Sequence, residues 1–188
     1  MRGCVLMRHG ETSMAGLFCG HSDPPLNDAG RQQIGLAASM LSQRPDVIYA
    51  SDLRRARQSA ELIASHFGLA VHLRPGLREI GFGAWEGLSW TQIEERFPAD
   101  AQAWMECYPR GVIPAGEPYD TFRMRVRQEM RFLLAEAEVQ SLVAITHGGF
   151  IQTALTELYS LPHVEAHRWS AQYASIVSIP LVQAGGAA

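Results

Sequence analysis

Arg8-His9-Gly10 follows directly on the apolar run Val5-Leu6. A strand ending there carries His9 to the C-terminal edge of a sheet, where open α/β proteins place their sites. A neutral imidazole offers a lone pair near neutral pH. The neighbouring Arg8 presents a fixed fork of donors that fits phosphate oxygens, and Gly10 removes a side chain where the backbone must turn away. This pairing suits a nucleophile that attacks a phosphoryl group. Two distant segments have the same form. Ser51-Asp52-Leu53-Arg54-Arg55-Ala56 follows Val47-Ile48-Tyr49, and Thr146-His147-Gly148-Gly149 follows Leu142-Val143-Ala144-Ile145. Gly148 and Gly149, opening a helix, would present backbone N–H groups to an anion.

These segments need elements to position them. Strand-like runs at about 3–7, 46–50, 71–73, 142–146 and 173–179 alternate with helical patterns, which favours an α/β layered fold with a mostly parallel sheet. Asn27 or Asp28 can cap a helix running to about Gln43, and a second helix, about 53–67, ends near Gly68. Phe122, Val126, Met130, Leu133, Leu134 and Ala137 recur at helical spacing, which predicts an amphipathic helix over about 119–138. Pro118 can start it. Between them, residues 85–118 are rich in Trp, Pro and Gly, with short helical pieces near 89–96 and 99–107, and read as a cap over the sheet edge. Residues 1–188 suit one domain with this cap-like insertion. The tail at 184–188 is expected to fray.

Composition excludes several classes. A net charge of −3 argues against a general nucleic-acid binder, so positive potential must be local. The three cysteines, Cys4, Cys19 and Cys107, fit neither a disulfide framework nor a zinc cluster. That pattern favours a reducing, cytoplasmic setting. No apolar stretch approaches the roughly 20 residues of a membrane span, and the first strand begins too early to leave room for a secretory signal.

Taken in order, these segments resemble the histidine phosphatase superfamily, the phosphoglycerate mutase-like proteins. The resemblance rests on Arg8-His9-Gly10-Glu11-Thr12, the Ser-x-Leu-x-Arg-Ala of 51–56, Leu77-Arg78-Glu79-Ile80-Gly81-Phe82-Gly83, Trp85-Glu86-Gly87 and Thr146-His147-Gly148-Gly149. It implies a three-layer α/β/α fold and a phosphohistidine intermediate on His9. Arg8, Arg55 and His147 then surround the phosphoryl oxygens, and Glu79 protonates the leaving group. Arg55 rather than Arg54 takes this part, because it precedes the alanine; Arg54 and Arg57 read as a solvated helix face. Substrate binding would add Thr12, Cys19 and Gly20 of the loop after the first strand, and Gly148. Glu11 would orient an arginine. No metal or other cofactor is implied.

The chain departs from the family at Ala15, where an asparagine is frequent, at Cys19, where threonine or glutamine is usual, and at Pro118, which replaces a serine. A Cys19 nucleophile is disfavoured, since no Cys-x5-Arg loop is present. Glu79 and His147 lie 68 residues apart, as in the compact phosphatase branch; the mutases carry a longer insertion there. The expected activity is therefore hydrolysis of small phosphate monoesters, with alpha-ribazole phosphate or a sugar phosphate as substrates that the resemblance suggests. A phosphoglycerate mutase is the alternative, and a non-catalytic phospho-ligand binder the remote one. The implied partner is a small phosphate ester, with no nucleic acid and no membrane; a homodimer is left open.

Overall fold

A computed structural model describes residues 3–180; the tail expected to fray lies outside them. The chain runs β1 (Gly3–Arg8), α1 (Asp28–Met40), β2 (Val47–Ala50), α2 (Arg54–Phe67), β3 (Val71–Leu73), α3 (Trp90–Arg96), α4 (Pro98–Cys107), α5 (Tyr119–Ala137), β4 (Ser141–Thr146), α6 (Gly148–Tyr159), α7 (His163–Ser170) and β5 (Ile176–Ile179). The sheet order is β3-β2-β4-β1-β5. The first four strands are parallel, and β5 is antiparallel to β1.

Alternation along the strands builds two cores. Met7, Ile48, Val143 and Ile145 face Ile34, Ala37 and Ala38 of α1 and Ala56, Ala60 and Ile63 of α2. Cys4, Leu6, Leu142 and Ala144 face Val126, Met130 and Leu133 of α5 and Phe150, Ile151 and Ala154 of α6. The result is the expected α/β/α layering. Central β4 is buried at every residue, which is why Leu142–Ile145 reads as an unbroken apolar run. Each fully buried Ile or Leu stabilises the fold by about 1.5–3 kcal/mol relative to exposure.

Helix boundaries follow local chemistry. The Asn27 side chain accepts from Gly30 N at 2.7 Å and starts α1. That helix ends at Met40, short of Gln43, because Leu41 turns extended (φ −63°, ψ 120°) and packs on the α1/α2 core, just before Arg44-Pro45 disfavours helix. Gly68 closes α2 in the left-handed region, at φ 66°. α5 begins at Pro118 as expected. β5 is shorter than 173–179, since Ala174 has φ 56° and breaks the strand. α7 was not anticipated: it has eight residues, and exposed Val164 and Trp169 blur its periodicity.

A third, smaller core holds the segment after β3. Trp85, Ile93, Ala101 and Ile113 are buried there, with Phe18, Phe82, Trp90 and Trp104 packed against them. Ring centroids lie 4.9 Å apart for Phe18–Phe82 and 5.9 Å for Trp85–Trp104, both edge-to-face. Gly83 sits at φ 50°, and a Cβ there would lie 2.3 Å from the Ala115 carbonyl carbon.

Candidate active site

Strand register assembles the site. Arg8 pairs with Thr146 across β1 and β4, and Ala50 pairs with Ile145 across β2 and β4. The next residues, His9, His147 and Ser51, therefore emerge side by side at the C-terminal edge. His9 N donates to Thr146 O at 3.0 Å and Ser51 N to Ile145 O at 2.9 Å, so the ladder holds their backbones. The His9 and His147 ring centroids are 5.0 Å apart.

Hydrogen bonding selects the tautomer of His9. Its Nδ1 lies 2.7 Å from Gly10 O, which can only accept, so Nδ1 carries the proton. Arg55 Nε donates to His9 Nε2 at 3.2 Å, so Nε2 presents its lone pair. Burial, first, and then the charges of Arg55 and Arg8 hold the His9 pKa well below the usual imidazole value. The ring is thus neutral, with Nε2 as the nucleophilic atom. Gly10 has a further reason to be glycine: a Cβ would lie 2.4 Å from Gly30 O, where α1 packs against the loop.

The cations are fixed differently from one another. Arg8 Nη1 donates to Ser170 O at 2.9 Å and to Ala171 O, and its guanidinium lies 4.2 Å from the Tyr173 ring centre. Its buried Nε has no partner. Arg55 is fully buried, with Nη1 on Ser22 O (2.7 Å) and Nη2 on Cys19 O (3.1 Å) and Gly20 O (2.7 Å). His147, also fully buried, meets Ser51 Oγ at 2.9 Å through Nε2, while Nδ1 has no partner. Burial also lowers the His147 pKa well below its usual value. Arg8 Nε and His147 Nδ1 are thus two buried nitrogens near His9 that have no hydrogen-bond partner.

Glu79 is buried beside them. Its Oε1 accepts from Ile80 N (3.0 Å) and its Oε2 from Gly149 N (2.8 Å). Desolvation outweighs those two N–H groups and raises its pKa above the usual carboxylate value. Arg78 does not pair with Glu79; it is bidentate on Asp52, at 2.7 and 2.6 Å. The Glu79 backbone is held from outside. Arg125 donates to Arg78 O at 2.7 Å and Glu79 O at 3.2 Å, and is itself gripped by Glu117 at 2.7 Å. His21 Nε2 adds a donor to Glu79 O at 3.1 Å.

A chamber of about 330 Å³ opens in front of His9. Arg8, His9, Thr12, Cys19, Glu79 and Gly148 are on its wall, as the sequence suggests. Arg55 and His147 stand behind His9 instead, reaching it through the contacts above. Gly20 is also absent from the wall. Its N–H goes to Glu86 and its carbonyl to Arg55, so it secures the arginine. Gly149 N is committed to Glu79, leaving Gly148 at the helix mouth. Glu11 bonds Asn27 Nδ2 at 2.9 Å and orients no arginine. The Cys19 thiol is pushed up by burial, away from a thiolate. Arg54 and Arg57 are exposed, as expected.

Sequence reasoning assigned no role to Ser51, Tyr173, Arg125 or Glu117. Ser51 lay within a quoted segment. Glu117 lay in the Pro-Ala-Gly-Glu-Pro stretch, but its partner Arg125 is a turn into the next helix.

The family model of the histidine phosphatase superfamily (branch 1) matches residues 4–187. The chain belongs to that superfamily. This histidine phosphatase is 31% identical over 176 residues to an adenosylcobalamin/alpha-ribazole phosphatase of Salmonella typhimurium, covering 88% of this chain and 87% of that one. It is 33% identical over 171 residues to a glucosyl-3-phosphoglycerate phosphatase of Mycobacterium tuberculosis, covering 86% and 77%. The crystal structure of the alpha-ribazole phosphatase from Shigella flexneri superposes with a TM-score of 0.83 at 26% identity, covering 94% of this chain and 89% of that one. The protein is accordingly an enzyme that hydrolyses phosphate monoesters. Among the described residues no helix is long and apolar enough to cross a membrane, and no group of three His, Cys, Asp or Glu residues could hold a metal ion.

Proposed function

We propose that the enzyme hydrolyses small phosphate monoesters in two steps through a phosphohistidine on His9. In the first step Nε2 attacks phosphorus and the ester P–O bond breaks. The Glu79 carboxyl proton goes to the departing alkoxide oxygen. In the second, Glu79 as carboxylate takes a proton from water, the water oxygen attacks phosphorus, and the P–N bond breaks to return Nε2 its lone pair. Arg8 and Arg55 neutralise the phosphoryl oxygens throughout and the uncharged His147 ring offers them an N–H, so that positioning and charge carry most of the catalysis. The Arg55 Nε–H, which donates to Nε2 in the resting enzyme, keeps its proton and redirects its hydrogen bond to a phosphoryl oxygen once that lone pair is engaged.

One observation carries this reading: His9, neutral with its proton on Nδ1, and Glu79, whose pKa burial raises, line the same chamber. Segment 85–118 serves as the cap, walling the chamber with Trp104, Tyr108 and Ile113. The relatives' names make alpha-ribazole phosphate and glucosyl-3-phosphoglycerate the first esters to assay. The deciding experiment is rapid quench into alkali during turnover, where a phosphohistidine survives; trapped enzyme-bound phosphate is expected, and its absence at every quench time would defeat the covalent route. Phosphoglycerate isomerisation outpacing phosphate release by orders of magnitude would make the enzyme a mutase instead.

A further inference from the structure

The chamber is chemically lopsided. Its wall includes the apolar side chains of Leu17, Phe18, Phe82, Trp104, Ile113 and Phe122. Alongside them lies an uncharged polar cluster, with the Tyr108 ring 4.8 Å from Trp104 and the Tyr119 ring 6.4 Å from Phe122. Gln152 Nε2 donates to Tyr108 OH at 2.7 Å and to His163 O at 2.9 Å, and the Tyr119 hydroxyl meets His163 Nε2 at 2.9 Å.

Fixed positive charge is scarce there. The chain contains no lysine, and among the described residues Arg8 is the one arginine on the chamber wall. Arg8 belongs to the phosphoryl end, tied to Ser170 O and Ala171 O. The wall carries two carboxyls, Glu79 and Glu117, the latter gripped by Arg125 from behind. Arg110, next to wall residues Pro109 and Gly111, is off the wall, 64% exposed and 3.7 Å from Asp120. Burial lowers the His163 pKa, which keeps that ring neutral; His167 is the other imidazole on the wall.

We infer that this chamber selects phosphate esters of uncharged, aryl-bearing alcohols and rejects those whose alcohol carries a carboxylate or a second phosphate. The inference rests on the phosphatase reading above and adds the class of leaving group. An aromatic ring gains edge-to-face contacts with Phe18, Phe82 and Trp104, and its hydroxyls find the Tyr108, Gln152 and Tyr119 cluster. An anionic group entering the same space loses water, meets no cation and faces the charge of Glu117.

The test is a matched pair assayed at pH 8: 2-phenylethyl phosphate and the same ester with a para-carboxylate. The uncharged ester is expected to have a kcat/KM higher by roughly tenfold to a hundredfold, with 3-phosphoglycerate ranking alongside the carboxylated ester. Leu17→Arg places a cation at the chamber mouth and should narrow the ratio to a few-fold. Trp104→Leu should lower kcat/KM for 2-phenylethyl phosphate by roughly tenfold relative to ethyl phosphate. Equal kcat/KM for the pair, or a ratio that Leu17→Arg leaves unchanged, would overturn the inference. p-Nitrophenyl phosphate separates the two levels: its hydrolysis with no discrimination between the pair overturns the leaving-group class alone, and no phosphate release from any ester overturns the phosphatase reading with it.

Discussion

The two ends of the chamber are built on opposite principles. At the phosphoryl end the reactive groups hang from strand ends, a bonded loop and the first turn of α2, and His9, Arg8, Arg55 and Glu79 are each tied to backbone at 2.9 Å or less. At the leaving-group end the wall is assembled from six separated stretches, between Leu17 and His167, that meet through ring contacts and side-chain hydrogen bonds. The first arrangement fixes atoms for one reaction and tolerates no displacement. The second fixes a shape and a charge, and can be retuned residue by residue. Chemistry and specificity are thereby separable, and substitutions should divide accordingly: those at the first end slow esters by what the reaction needs, including the proton an alkoxide requires, and those at the second re-rank esters by the shape and charge of the alcohol.

The largest expected effect is at His9. His9→Ala should lower turnover of all esters by at least ~10³-fold, and the melting temperature should stay close to that of the parent. A variant retaining parental turnover would remove His9 from the nucleophile's place.

Glu79→Gln should slow alkyl phosphates by roughly 10²- to 10⁴-fold and aryl phosphates far less, since a phenolate leaves without a proton. The active form needs His9 neutral and Glu79 protonated. His9 is lowered and Glu79 raised from their usual values, so alkyl-ester activity is lost in acid as His9 gains a proton and in alkali as Glu79 loses one. The alkaline limb should vanish in Glu79→Gln; its persistence would assign that limb to another group.

Arg125 touches no reacting atom but holds the carbonyls of Arg78 and Glu79. Arg125→Gln should cost about tenfold in kcat on alkyl esters with little change on aryl ones. Water reaching a loosened Glu79 should also move the alkaline limb to lower pH, and Arg125→Lys should recover part of the loss. A uniform loss on both ester types, with the limb unmoved, would reduce Arg125 to a structural brace.

The smallest effect belongs to Ser51→Ala, which deletes the partner of a fully buried His147 Nε2. The expected cost is about 1–3 kcal/mol of stability by denaturant unfolding, from the unpaired nitrogen. Ester ranking should not change. A changed ranking would blur the division between the two ends.

Legibility followed the same divide. His9 and His147 could be read from short segments because a strand end delivers its next residue to the sheet edge whatever surrounds it, whereas Glu79, six residues beyond the end of β3, was suggested only by the family resemblance of its segment. The α1 and α2 packing and the β4 run were readable for a related reason: burial on one face imposes a 3.6-residue repeat, and burial on both faces an unbroken apolar run. α7 was not readable, because Val164 and Trp169 leave apolar side chains in solvent and its start is a proline rather than a capping side chain.

What the sequence determined by itself was local: which side chains stand at strand ends and where helices begin. The tertiary structure alone decided which nitrogen of His9 is free, because that depends on Gly10 O and on an arginine 46 positions away. It alone withdrew Gly20 and Glu11 from the roles their positions suggested, and recruited Arg125 to hold Glu79. Hydrogen bonds and burial act through space over a few ångströms, and residues that meet there need share no spacing along the chain.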